Sequence, residues 1–286
     1  MADVLVQGLL VGGVYALIAL GFVLVFKSSQ VLNLAYGEMI AVLSYLVYEM
    51  LAGWGLPSWA GILLLVPCGA ALGYVMERLA IRPLLGQPFL SVLMMTLMLS
   101  FLLKGVVVLF WGSKSFTLPF TPHGQWDLGP ISVIPGAAVS FLTALVIFML
   151  LTILFRRTRV GLSMRVVAAD PGVAQSLGVR VRQIFSLSWA ISGAFAAVCG
   201  ILVGMVFTVT PVMGDIGLGK GLPVLLLGGL NSIPGSAVGG LIIGLAESLG
   251  SYYQPGLEEV IPWLLMLVIL LARPYGLFGE RRIERI

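Results

Sequence analysis

The chain has 286 residues, of which 59% are apolar and only 10% charged, with a formal net charge of +4. A mean hydropathy of +1.09 is far above what a water-facing surface tolerates, which excludes a soluble globular protein. The basic excess does not read as a nucleic-acid surface, because no soluble basic face with interleaved aromatics accompanies it.

A bilayer core about 30 Å thick needs about 20 apolar residues per helical crossing, so a chain of this length has room for about eight to ten spans and little else. Runs this long and continuous also exclude a barrel, whose strands alternate apolar and polar positions. The expected fold is all-α: a single polytopic transmembrane domain over residues 1–286. About nine spans, some of them short or re-entrant, are expected, at 4–26, 34–52, 59–79, 89–111, 135–155, 184–208, 218–230, 237–251 and 257–272.

Taken in chain order, the first run follows Met-Ala-Asp with no basic leader or cleavage site, and reads as a retained span rather than a signal peptide. It ends in the polar break Lys-Ser-Ser-Gln, after which Asn33, Tyr36, Gly37 and Glu38 cluster where the second span begins. Irregular backbone at membrane depth survives only where protein or a water-filled cavity surrounds it, so this break marks a candidate translocation pathway, although Glu38 reads equally as a helix-end side chain that reaches the cytoplasmic interface. Lys104 and Glu247 fall inside later spans and are functional candidates because intramembrane charges are expensive. A Lys104 pair with Glu247 or with Glu38 is one arrangement that would neutralise them. Gly8 with Gly12, Gly200 with Gly204, Gly217 with Gly221, Gly235 with Gly239, and Gly240 with Gly244 have the four-residue spacing of close helix contacts.

Two segments outside the spans are long enough to matter. The first, 112–134, is rich in turn residues and holds the sole histidine, His123, which reads as a solvated side chain. The second, 156–183, holds six arginines. Within it Asp170 is an N-cap and Pro171 a first-turn proline, predicting a short helix that stops at Gly178. Val173, Ala174 and Leu177 are expected on one face of that helix, an apolar knob ringed by arginine. A two-turn helix is marginal alone, so the knob is expected to dock on a partner protein, the alternative being a loop folded back on the membrane surface with its arginines held near lipid phosphates.

Further along, 226–236 is a second Gly-rich interruption containing Gly228, Gly229 and Asn231, a further candidate pathway segment. An Asn beside a helix break in each half hints at an internal structural repeat. Short loops rich in Lys and Arg remain cytoplasmic. Lys27, Arg78, Arg82, the six arginines of 156–182, Arg273, Arg281, Arg282 and Arg285 fall on one consistent side, 13 of the 16 basic residues. Asp3, Glu49, Asp127, Asp215, Glu258 and Glu259 gather on the other, so the N-terminus is expected outside and the C-terminus inside. Loop 112–134 is then external and loop 156–183 cytoplasmic. Cys68 and Cys199 lie within apolar runs and behave as small hydrophobes. No phosphate-binding loop, metal-ligand cluster or nucleophile with a base is present, so the chain reads as non-catalytic, unable to hydrolyse ATP itself and without a metal or cofactor of its own.

Five blocks in order then carry a resemblance: GLLVGGVYALIALGFVLVF near the start, NLAYGE at 33–38, ERLAIRPLLG at 77–86, RTRVGLSMRVVAADPGVAQSLGV in the arginine-rich segment, and LLLGGLNSIPGSAVGGLIIGLAE at 225–247. The chain resembles, over nearly its whole length, the permeases of branched-chain amino acid ABC importers, with urea and amide permeases as relations. It departs from many members in carrying Tyr36 where they have histidine. The resemblance implies that Arg165, Ala168, Ala169, Asp170, Pro171, Gly172, Val173, Ala174, Leu177 and Gly178 form the coupling element against an ATP-binding subunit. It also implies a bacterial inner-membrane assembly with two ATP-binding subunits holding ATP and magnesium, a second homologous permease chain, a periplasmic or lipid-anchored substrate-binding protein, and surrounding lipid. The cargo it implies is a branched-chain or other hydrophobic amino acid. Urea, a short amide or another small solute on the same machinery remains an alternative, and an ion-coupled carrier a more distant one.

Overall fold

A computed structural model of the chain describes residues 1–121, 124, 126–128 and 131–279. His123 and the basic residues Arg281, Arg282 and Arg285 lie outside the described residues. The fold is all-α apart from one two-stranded hairpin, β1 (Trp126–Leu128) and β2 (Ile131–Val133), paired antiparallel. Six helices among the described residues are long and apolar enough to cross a membrane. They are α1 (Ala2–Ser29), α3 (Ser58–Met76, extended by further helical turns to Leu84), α4 (Phe89–Trp111), α5 (Pro135–Arg157), α8 (Val181–Val206) and α10 (Ile233–Tyr253). The other three expected spans are also helices, but shorter: α2 (Tyr36–Tyr48), α9 (Leu222–Gly228) and α11 (Leu257–Ala272).

The long central helix α1 has Asp3 in its first turn and Lys27 in its last, charges that suit the two ends of its dipole. Its most apolar stretch is 83% buried, against 22% for that of α5, which places α1 at the centre of the protein and α5 at its rim. Close approach explains how α1 is held there. Gly8 and Gly12 lie against the backbone of Gly244 and Gly240 on α10, so a side chain at any of the four would collide. The same device recurs between α3 and α8. Gly69 and Gly73 meet Gly193 and the Trp189 carbonyl. The first crossing joins two of the glycine pairs expected from spacing; Gly69 and Gly73 have the same spacing but stood out less in the sequence.

Across these two crossings the halves of the chain share one order of elements. Each half runs as a long helix, an irregular break, a half-length helix and a second long helix: α1, 30–35, α2, α3, and then α8, 207–216, α9, α10. The halves interlock, because the first helix of each packs on the last long helix of the other. A π-helical turn, Gly217–Gly221, leads directly into α9, and another, Glu49–Gly53, extends α2. This shared order accords with the repeat that the sequence hints at, but the two asparagines do not stand at matching places in it. Asn33 precedes the half-helix α2, whereas Asn231 follows the half-helix α9.

The molecule has a basic pole and an opposite pole. Lys27, Arg82, Arg165 and Arg182 gather with the ends of α1, α3 and α9 and the start of α8, where Lys27 Nζ donates to the Asn231 carbonyl at 3.1 Å. At the other pole Asp3 accepts from the Ser132 amide at 2.9 Å, and Tyr45 donates to the Lys114 carbonyl at 2.9 Å. The arginine-rich segment at the basic pole contains two helices rather than the one expected. The additional helix, α6 (Arg159–Ala169), is capped by Thr158, whose hydroxyl accepts from the Gly161 amide. It buries Gly161, Met164 and Val167, a helical spacing obscured in the sequence by the intervening arginines.

Candidate functional site

The two half-helices meet tip to tip. α2 begins opposite Gly21 and Phe22 of α1 and runs away from the basic pole, while the π-helical turn Gly217–Gly221 begins beside Gly37 and leads through α9 toward it. At the junction the Gly37 backbone presses on the Gly214 carbonyl and the Gly217 Cα, a contact that no side chain could share. Asn33, fully buried, builds the approach: its Oδ1 accepts from the Ala35 amide at 3.2 Å, and the Tyr36 amide donates to its carbonyl at 3.1 Å. Tyr36 is also fully buried, its ring 5.1 Å from that of Phe22 and its hydroxyl 3.7 Å from Cys199 Sγ. Asn33 and Tyr36 thus hold the break in place.

Glu38 occupies the first turn of α2 and is only 3% exposed. Its carboxylate rests against Gly214, and its Oε2 has no hydrogen-bond partner among the described residues. The next residue, Asp215, accepts both of its bonds from Lys104 of α4, at 2.8 and 2.9 Å. The Lys104 side chain is 33% exposed and that of Asp215 57%. An ion pair open at this depth of the bundle demands a wet or protein-covered face, because hydrocarbon solvates neither charge.

The Lys104 pairs considered from the sequence are not formed. Glu247 lies on α10, across the central helix from Lys104, and it pairs instead with Lys220 at 3.3 Å and accepts from the Tyr15 hydroxyl at 3.0 Å. Lys220 is held as well by the Glu258 carbonyl at 2.6 Å and by Glu259 at 3.6 Å. Asp215 and Lys220 were legible only as charges near helix ends, since their partners come from distant segments.

The remaining candidates lie at the basic pole, at the far end of α9. Gly228 packs on Gly235 in the α9–α10 turn, and Gly229 takes φ 106° beside Gly279. The structure therefore does not join Gly228, Gly229 and Asn231 with the Asn33–Glu38 cluster. Asn231 instead lines a cavity of about 590 Å³ with Lys27, Gln30, Arg165, Ala168 and Ala169. This cavity places part of the arginine-rich segment directly beside the end of the half-helix.

Beside it, α7 (Pro171–Ser176) begins as expected: Asp170 Oδ1 accepts from the Gly172 and Val173 amides at 2.7 and 3.0 Å. Gly178 follows with φ 82°. The expected apolar face is divided. Ala174 is fully buried against Val167 and Phe185, anchoring α7 to the protein, whereas Val173 and Leu177 are 52% and 70% exposed. The reason is geometric, since a six-residue helix needs its own anchor and has one residue to spare for it. The outward surface is Pro171, Gly172, Val173, Leu177 and Gly178, flanked by exposed Arg165, Arg180 and Arg182.

Residues 4–270 match the family described as branched-chain amino acid transport system / permease component. The chain is 32% identical to the high-affinity branched-chain amino acid transport system permease protein LivH of Escherichia coli K12, over 98% of its own length and 96% of the relative's. It is also 32% identical to the corresponding permease protein BraD of Pseudomonas aeruginosa, over 99% and 97% of the two chains. No solved structure matches it. A bundle of apolar helices with a broken-helix junction, matched across nearly its whole length by permeases, is a multi-pass membrane protein, and this chain belongs to the branched-chain amino acid transport system permease family.

Proposed function

We propose that the chain is the translocation-pathway subunit of an ATP-binding cassette importer for branched-chain or other hydrophobic amino acids. The observation that carries this reading is the match of both relatives along nearly their whole length, because both are named as high-affinity branched-chain amino acid transport system permease proteins. Two tip-to-tip half-helices with an open ion pair beside them suit a pathway formed against a second permease chain. Nine spans, with α2, α9 and α11 as short ones, put the N-terminus outside and the basic pole in the cytoplasm of a bacterial inner membrane. Two ATP-binding subunits, which bind ATP and magnesium and carry out the hydrolysis, then face α7, and a periplasmic or lipid-anchored binding protein delivers cargo at the opposite pole.

In this arrangement Val173 and Leu177 are the apolar contacts of the coupling element, with Asp170, Pro171, Gly172 and Gly178 shaping it and Ala174 anchoring it. Arg165, Ala168 and Ala169 carry its displacement to the cavity beside Asn231 and so to α9. Affinity purification of the tagged chain from its native membranes tests the reading. Wild type is expected to bring an ATP-binding subunit with it, and Leu177→Glu to lose that subunit while inserting normally. A chain that purifies alone and still drives uptake of leucine overturns the assembly.

A further inference from the structure

We propose that Glu38 is the pathway's subsite for the α-ammonium group of a zwitterionic amino acid, with Lys104 as the partner of the cargo's carboxylate. This rests on the amino-acid importer reading and deepens it. The junction of the half-helices holds two carboxylates, Glu38 and Asp215, and one ammonium, Lys104. Asp215 takes two hydrogen bonds from Lys104. Glu38 keeps an oxygen with no donor at all, although the residue is 97% buried from solvent by its 3% exposure. The group missing from the cluster is therefore a cation with N–H donors to spare.

The first-turn position of Glu38 on α2 accounts for part of its tolerance, because the helix dipole favours a carboxylate there. It does not supply a hydrogen bond to the free oxygen. A buried carboxyl without a donor either takes up a proton or is satisfied in another state of the protein, and a cation with N–H donors does the second. An α-ammonium has three donors and a full charge, which fits both deficits. Lys104 spends two N–H groups on Asp215 and stays one-third exposed, so a third donor remains for a carboxylate on the open side of the pair. Access requires the tips to part, and the contact that closes them is glycine on glycine, Gly37 against Gly214 and Gly217, with no interlocking side chain to break. A site of this kind selects α-amino acids over urea, amides and sugars, since only the first carry both charges.

Equilibrium binding of radiolabelled L-leucine to the reconstituted importer, permease chains with ATP-binding subunits and without the binding protein, is the test. Wild type is expected to bind leucine, with 4-methylpentanoate, which lacks the ammonium, and 3-methylbutylamine, which lacks the carboxylate, both competing weakly. Glu38→Gln is expected to lower leucine affinity about tenfold or more, as loss of a charged hydrogen bond does, while leaving 4-methylpentanoate competition unchanged. Gly214→Ala sets a methyl group against the same carboxylate and is expected to give the same loss with the charge retained, which covers a Glu38→Gln chain that fails to assemble. Unchanged leucine affinity in an assembled variant overturns the subsite. So does a wild type that imports leucine yet binds none without the binding protein, or sodium-dependent binding whose sodium requirement disappears in Glu38→Gln. A wild type that neither binds nor imports any α-amino acid overturns the cargo reading itself, and the subsite with it.

Discussion

Lys220 illustrates how a single side chain can tie three helices together. Its side chain is 10% exposed and reaches Glu247 of α10 and the Glu258 carbonyl of α11, and Glu247 in turn accepts from Tyr15 of α1. Removing one partner of a buried pair strands the other charge, at a cost of about 3–5 kcal/mol, whereas replacing both by neutral groups is close to neutral. Lys220→Met is accordingly expected to lower thermal stability in detergent strongly. Lys220→Met combined with Glu247→Gln should recover most of the loss, and a double variant no more stable than the single one would remove the pair from the account. Glu247 and Lys104 stood out in the sequence as charges inside apolar runs. Their partners did not, because pairing is set by the distance between separate elements, Lys104 and Asp215 lying 111 positions apart and Glu247 pairing with Lys220 from a different helix. Asp170 was fully legible, since an N-cap involves only the next few residues.

Elements follow the same division between local and distant causes. α7 was readable from Asp170, Pro171 and Gly178, yet the side it buries was not, because that depends on Phe185 and Val167 from its neighbours. The role of Asp170 as a cap separates cleanly from any role of its charge. Asp170→Ala is expected to destabilise α7 by about 1 kcal/mol and to weaken retention of the ATP-binding subunit, whereas Asp170→Asn, an equally good cap, should leave retention near wild type. Loss in both variants would assign the carboxylate a direct contact instead. The glycine crossings show the matching limit for long helices. Spacing identified Gly8, Gly12, Gly240 and Gly244 as contact-forming, but only packing shows that they meet each other. The sequence places short or broken spans at α2 and α9, but hydropathy, which measures the length of an apolar run, is blind to the irregular segments 30–35 and 207–216 that lead into them.

The whole molecule adds a constraint that no helix carries alone. α2 and α9 run from their junction toward opposite poles, so any asymmetry between the poles must come from what sits at each end. Here it comes from charge: arginines and Lys27 at one pole, and Asp3, Glu49 and Glu259 at the other. The positive-inside bias assigns the basic pole to the cytoplasm, and single-cysteine labelling with a membrane-impermeant maleimide in intact cells checks it. In a Cys68→Ala, Cys199→Ala background, cysteine at Lys114 is expected to label from outside, and cysteine at exposed Leu177 only after the membrane is permeabilised. Labelling of the Leu177 site in intact cells, with Lys114 protected, would invert the chain. It would place α7 in the periplasm, out of reach of any ATP-binding subunit, and the coupling role would fall together with the orientation.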